Sequence, residues 1–199
     1  MAKGPVYTVP YRRRREGKTD YKLRKKLIMS KIPRLVVRKS NRNFIAQVVM
    51  ATVIGDVVIV SAHSHELRKR FGWLGSLNNL PAAYLIGLLC GLRAAAKGIK
   101  RAILDIGLHM PSRGAAVFAA MKGFIDAGVE VPYDETILPD ESRMRGEHIA
   151  KYAELLVSTN MEKYTRYFSE YLARGLPPEK LPEHFETVKE RILKSFKGE

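Results

Sequence analysis

Hydrophobic and polar positions follow two different periods along this chain, and the switches between them divide it. Residues 34–39, RLVVRK, read as a strand. The tetrad Ser40-Asn41-Arg42-Asn43 is turn chemistry. Residues 44–54, FIAQVVMATVI, read as a second strand. Gly55-Asp56 makes a tight turn, and residues 57–62, VVIVSA, form a third strand. Together they predict an antiparallel meander. Strands two and three are almost continuously apolar, which predicts a sheet covered on both faces.

The period then lengthens. Residues 66–73 read as a short helix. A long helix starts near Asn78-Asn79, carries Pro81 in its first turn and stops at Gly98. Residues 101–107, RAILDIG, are a buried strand reached by a crossover. A second long helix follows residues 111–114 and runs to Gly128. Small residues recur every four positions in both long helices: Ala83, Gly87, Gly91 and Ala95 in the first, Ala115, Ala119, Gly123 and Ala127 in the second. Matched stripes predict close packing of the helices on each other or on the sheet. Residues 129–141 read as a proline-punctuated acidic loop. Three charge-mixed helices follow. One covers 142–157. The next opens at Thr159 with Glu162 three residues on, a capping box, and ends near Gly175. The last runs from Pro182 to Phe196. Tyr164, Tyr167, Phe168, Tyr171 and Leu172 concentrate aromatic and apolar surface on the middle one, and packing on the body is the expected use.

The fold class is therefore α/β: a mixed sheet with a three-strand meander followed by α-β-α. The divisions are a basic arm with a short helix at 1–30, a core at 31–140 and a helical extension at 141–199. Composition agrees with a globular chain: 46% of the 199 residues are hydrophobic. The single cysteine, Cys90, excludes a disulfide framework or a multi-cysteine metal site within one chain. The uncharged stretch from Leu80 to Leu92 is shorter than the roughly 18 residues a membrane span needs. MAKGPVYTVPYRRRR has no apolar core after its charges, so no secretory signal is read there. A soluble protein of a reducing, intracellular compartment is expected, with no membrane partner and no homo-oligomer.

Charge changes the picture most. The formal net charge is +15, yet residues 1–44 hold 15 of the 35 Lys and Arg and only two acids, Glu16 and Asp20. That segment carries +13 and the rest of the chain +2. A nearly neutral body thus bears a strongly basic arm, which repels itself and needs a counter-charge to fold. A polyphosphate chain supplies one. From Met1 to Asp20 there is no apolar helical face, and Pro5 and Pro10 break any helix, which argues against a membrane surface. Aromatics interleave with base: Tyr7, Tyr11, Arg12, Arg13, Arg14, Arg15, Lys18, Tyr21 and Lys22. Tyr rings and Arg planes stack on unpaired bases while neighbouring charges hold phosphates. The bland alternative is a solvated tail. Residues 20–30, DYKLRKKLIMS, with Arg24, Lys25 and Lys26, read as a short basic amphipathic helix ended before Pro33.

Two kinds of chemistry were weighed against binding. The strand order resembles ribonuclease H-like folds, and a two-metal nuclease needs converging carboxylates. The candidates are Asp56, Glu66, Asp105 and Asp126, of which only Asp105 sits mid-strand. His63, His65 and Glu66 resemble a metal cluster, but no third or fourth ligand is indicated; strand-end histidines facing phosphate are the plainer reading. No catalytic residue, metal or cofactor is assigned.

Four blocks carry a family resemblance: RLVVRKSNRNFIAQVV, NNLPAAYLIGLLCGLRAAAKGI, AILDIGLHMPSRGAAVFAAMKGFIDAG and RMRGEHIAKYA. In order and content they closely resemble the universal large-subunit ribosomal protein eighteen family, in its archaeal and eukaryotic form, over residues 5 to 157. The resemblance implies a ribonuclease H-like translational component without a nuclease site. It implies a structural protein of the cytoplasmic ribosome that binds 5S rRNA and anchors it to large-subunit rRNA in the central protuberance, beside neighbouring ribosomal proteins. It also implies that Arg38, Lys39, Ser40, Asn41, Arg42 and Asn43 face RNA, together with the arm from Tyr11 through Lys26. Arg34, His63 and Arg68 complete the candidate contacts with Asn79 and Arg113, which open the two long helices. A metal-dependent nuclease centred on Asp105 is the alternative. A free interaction module using the aromatic C-terminal helices is the third reading.

Overall fold

A computed structural model describes residues 4–197 of the chain; the outermost residues of the predicted arm and tail, 1–3 and 198–199, lie outside the described residues. Four strands build one sheet: β1 (Arg34–Lys39), β2 (Phe44–Ala51), β3 (Asp56–His63) and β4 (Ile103–Asp105), in spatial order β3-β2-β1-β4. β1 and β2 pair antiparallel with Val37 opposite Ala46, and β2 and β3 pair antiparallel with a register shift at Val48/Val49. β4 joins β1 in parallel, Leu35 opposite Leu104. The meander and the crossover to a fourth strand are as the pattern predicts. The second strand stops at Ala51 rather than residue 54, because the Thr52 hydroxyl and the Gly55 carbonyl close the turn at 2.7 Å.

One face of the sheet is core. Leu35, Val37, Phe44, Ala46, Val48 and Ala62 are fully buried there. Two helices cover it: α4 (Leu80–Ala96) and α5 (Ala116–Asp126). The small-residue stripes meet each other. A methyl group on Gly87 would fall inside the Ala120 carbonyl, one on Gly123 inside the Tyr84 carbonyl, and one on Gly91 would stand 2.6 Å from the Ala127 Cβ. The helix backbones are in contact, a separation only glycine permits.

The expectation that both faces are covered is corrected. The second face bears Arg34, Val36 and Arg38 on β1, with Gln47 and Val49 on β2, and it borders a cleft of about 540 Å³. Helix α2 (Tyr21–Met29) leans over that cleft with Leu23 and Leu27 and buries none of its own residues fully. Val57 and Val58 remain half exposed, and Val53 and Ile54 at the hairpin turn are fully exposed. A continuous apolar run read as two-sided burial thus includes valines on an open, charge-bearing face.

A short helix precedes α2: α1 (Arg12–Arg15). After β3 comes α3 (Ser64–Phe71), with His63 as its cap. The helix predicted over 142–157 is two helices, α6 (Glu141–Arg145) and α7 (Glu147–Thr159). Gly146 breaks them at φ +89, where the backbone passes within reach of Leu181 and Pro81. The predicted capping box at Thr159 is also displaced. Thr159 ends α7, and Asn160 caps α8 (Met161–Tyr167) by accepting from the Lys163 amide at 2.9 Å. Then follow α9 (Ser169–Ala173) and α10 (Leu181–Lys197). Tyr164, Phe168 and Tyr171 are buried, as expected for packing, whereas Tyr167 is exposed. Leu181, Phe185, Val188 and Ile192 of α10 join the same core as α4 and Trp73.

Candidate nucleic-acid interface

The arm has more local structure than its charge predicts. Pro10 lies just before the helical turn α1, so neither proline interrupts it. Glu16 accepts from Arg12 at 3.1 Å and from Lys18 at 2.9 Å, and Arg13 donates to the Thr19 hydroxyl at 2.9 Å. One acid therefore supplies local counter-charge for two cations. The Tyr11 and Tyr21 rings stand 5.0 Å apart across the turn. Arg14 and Arg15 are exposed and have no ion-pair partner among the described residues.

Asp20 opens α2 by accepting from the Lys22 and Leu23 amides. On this helix Lys22, Lys25 and Lys26 face solvent. Arg24 does not. Its guanidinium makes two bonds to Asp56, at 2.8 and 2.9 Å. Asp56 also accepts from Arg34 at 2.8 Å, and Arg34 donates its other terminal nitrogen to Asp105 at 2.8 Å. Arg38 completes the series, 2.8 Å from the second Asp105 oxygen. Five charged side chains thus alternate in sign, Arg24-Asp56-Arg34-Asp105-Arg38, and tie α2 to three strands. Burial pushes the Asp56 carboxyl up, but Arg24 and Arg34 together outweigh it and hold the group below its usual range. The Asp56 bonds likewise raise Arg24.

The network withdraws residues from the predicted contacts. Arg34 is 3% exposed and donates both terminal nitrogens to carboxylates, so its place in the fold is that of a structural residue. Arg24 and Arg38 are partly exposed but paired. Asn79 spends both ends of its amide: the oxygen caps α4 through the Ala82 amide at 2.9 Å, and the nitrogen donates to the Tyr171 hydroxyl at 3.2 Å. His63 accepts from the His65 amide at 3.1 Å and stacks on the His65 ring at 5.2 Å. Burial, then His65, lowers its pKa and keeps it neutral. Arg68 is half-buried beside Arg174, and burial lowers it.

Other predicted positions come together at the end of β1. Ser40 accepts from the Asn43 amide at 3.0 Å and shapes the tip. The Asn41 carbonyl accepts from the Asn78 side chain at 2.8 Å, which docks the tip on the start of α4. Asn43 accepts from the buried Ser64 hydroxyl at 3.1 Å. That leaves Lys39, Ser40, Asn41 and Arg42 exposed along the tip. Arg113 is exposed before α5, and Tyr7 is exposed in the arm.

Each carboxylate weighed for nuclease chemistry is engaged. Glu66 closes a capping box with His63 and takes Arg93 at 2.6 Å. Asp126 takes Lys122 at 2.9 Å and the Tyr84 hydroxyl at 2.8 Å. Asp56 and Asp105 share Arg34. Among the described residues no group of three His, Cys, Asp or Glu could hold a metal ion. Arg93, which also donates to the Ser61 carbonyl, was missed in the sequence because nothing local marks it. The alternation of Arg34 and Arg38 with Val36 along β1 was the available signal for the charged sheet face.

A family model described as ribosomal large subunit proteins 60S L5 and 50S L18 matches residues 6–100 and 94–134. The large ribosomal subunit protein uL18 of Staphylothermus marinus is 54% identical over 197 residues, covering 99% of this chain and 98% of that protein.

Proposed function

The chain belongs to the ribosomal large-subunit family that unites 60S L5 with 50S L18, and from that membership we propose that it binds 5S rRNA and anchors it to the large rRNA in the central protuberance. It is a structural constituent of the large ribosomal subunit, with its place in the cytoplasmic ribosome, and not an enzyme. No helix among the described residues is long and apolar enough to cross a membrane.

The observation that carries the RNA reading is the split between paired and unpaired cations. Inside the cleft, Arg24, Arg34 and Arg38 are each paired to Asp56 or Asp105. Outside it, Arg14, Arg15, Lys22, Lys25, Lys26 and Arg42 are exposed with no ion-pair partner among the described residues. Such cations release condensed counterions when they meet phosphates. The forked guanidiniums of Arg14 and Arg15 suit two-point phosphate contact. Ser40 and Asn41 at the tip suit phosphate or 2′-hydroxyl contact without base identity. Neighbouring ribosomal proteins of the large subunit are the other partners proposed.

Binding of purified protein to a 5S rRNA transcript over a salt series tests this. If about eight phosphates are neutralised, the log–log slope is about −7 by analogy with duplex DNA. Deleting residues 1–30 flattens the slope. A slope that survives the deletion unchanged removes the arm from the interface.

A further inference from the structure

The loop between β4 and α5 carries two large apolar side chains that no role above uses. Leu108 is 57% exposed and Met110 81%. Single exposed apolar residues are ordinary; the setting of this pair is not. Their loop is fastened at both ends. Arg38 donates to the Asp105 carbonyl at 2.6 Å, and the Gly107 amide donates to the Asp105 carboxylate at 3.0 Å. Gly107, at φ +66, lies against the Arg38 guanidinium. Midway, the His109 ring accepts from the Lys39 amide at 3.4 Å, which places the loop beside the β1–β2 tip. At the far end the Gly114 amide donates to the Ile137 carbonyl at 2.9 Å. Leu108 and Met110 are therefore presented to solvent by a held loop.

Charge around them selects the partner. Between residues 101 and 113 the one acid is Asp105, and Arg34 and Arg38 occupy it. Residues 38–43 hold three cations and no acid. Lys39 and Arg42 are exposed without ion-pair partners among the described residues, and exposed Arg113 feels Asp134, whose carboxyl it helps to lower. An apolar pair edged by exposed cations complements a nucleotide, with phosphates on the cations and base or ribose on the apolar side chains. An intact A-form helix offers a wide, shallow groove with little for such side chains to enter, whereas a bulge or loop offers an unstacked base.

We propose that residues 107–113 form a second RNA-gripping element, in which Leu108 and Met110 pack on an unstacked nucleotide of 5S rRNA while Lys39, Arg42 and Arg113 hold the flanking phosphates. This rests on the 5S rRNA reading above and adds the residues that touch a base rather than the backbone.

The test compares the full chain with a Leu108→Ser, Met110→Ser variant on a 5S rRNA transcript. Both side chains are exposed, so the variant melts at the wild-type temperature. Its affinity falls about tenfold at fixed salt. Its salt slope is unchanged, because no cation is lost. Chemical protection disappears at one or a few unpaired nucleotides. A second variant, Leu108→Met with Met110→Leu, keeps the apolar surface and restores both affinity and protection. Wild-type affinity and an unchanged footprint in the serine variant overturn the proposal and leave the 5S rRNA reading standing. Failure of the wild-type chain to bind the transcript overturns both. Tighter, loop-dependent binding to phosphatidylserine vesicles than to the transcript assigns the loop to a lipid surface and also overturns it.

Discussion

Arg34 on β1 donates to Asp105 on β4 at 2.8 Å, and the two side chains are only 4% and 8% exposed. The pair joins parallel neighbours on the sheet face opposite the helices. Removing one partner from a buried pair strands a charge in a poor solvent, at a cost of about 3–5 kcal/mol. Asp105→Ala should fall near the lower end, because Asp56 still holds Arg34. Urea denaturation of the variant measures this, and a loss below about 1 kcal/mol would show that water reaches the guanidinium.

The contact between α4 and α5 gives a second prediction. Gly87→Ala places a methyl group inside the Ala120 carbonyl, and Gly123→Ala does the same at Tyr84. Backbone atoms cannot rotate away as side chains do, so the helices must separate. Each change should cost at least about 2 kcal/mol. Gly98→Ala is a useful contrast: it meets no neighbouring atom and is opposed only by its φ of +75. Thermal melting of the three variants should rank Gly98→Ala as the mildest.

Acid should weaken the fold in two stages. His184 accepts from the Leu74 amide at 3.0 Å and stacks on Trp73 at 5.2 Å. Burial, then Arg191, lowers its pKa below the ordinary 6.5, and burial lowers His63 and His148 likewise. The folded state binds fewer protons than the unfolded state in this window. Stability is therefore full above 6.5 and declines as pH falls from there toward the folded values. A second decline belongs to Asp56 and Glu66, whose lowered values protect the fold until pH drops below their ordinary 3.8 and 4.5. Denaturant midpoints measured from pH 8 to 3 should show both, and His184→Gln should shrink only the first.

Cys90 should be silent in the native protein. It is fully buried in α4, and burial pushes the thiol up to about 12. Thiolate is the reactive form. Ellman titration at pH 7.5 should find no thiol in the folded chain and one after denaturation.

Exposed and paired cations should differ in salt dependence. Replacing Lys22, Lys25 and Lys26 with Gln removes three unpaired charges and should reduce the RNA salt slope by about 0.7–0.9 per residue. Arg24→Gln removes a charge that is paired to Asp56, so its effect on the slope should be smaller. Its main effect should be looser docking of α2, visible as faster amide exchange at Asp20-capped residues.

Local patterns were readable from sequence, and long-range pairings were not. β1 appears at its observed bounds because the β-favouring run RLVVRK lies between Pro33 and the turn residues from Ser40. α4 appears because Asn79, Pro81 and Gly98 each mark an end by backbone chemistry that needs no partner. The small-residue stripes announced the α4–α5 contact. The pairing of Arg34 was hidden because a basic residue next to a basic tip looks like a phosphate ligand. Only the fold brings Asp56 and Asp105 to it from 22 and 71 residues away. Asn79 was ambiguous for the related reason that a helix-opening amide suits both a phosphate and its own cap. The break at Gly146 was lost because the helical period continues across it, and the reason for the break, contact with Leu181 and Pro81, is tertiary.

The seating of His184 on Trp73 also fixes an order in time. Leu74 and the ring that accepts its amide are 110 residues apart in the chain. A ribosome making this protein therefore releases the sheet and α4 well before it makes the side chains that cover Trp73. During that interval an indole face and the sockets for Phe185 and Val188 are bare, which is the kind of surface chaperones bind. Synthesis that halts before α10 leaves the core open.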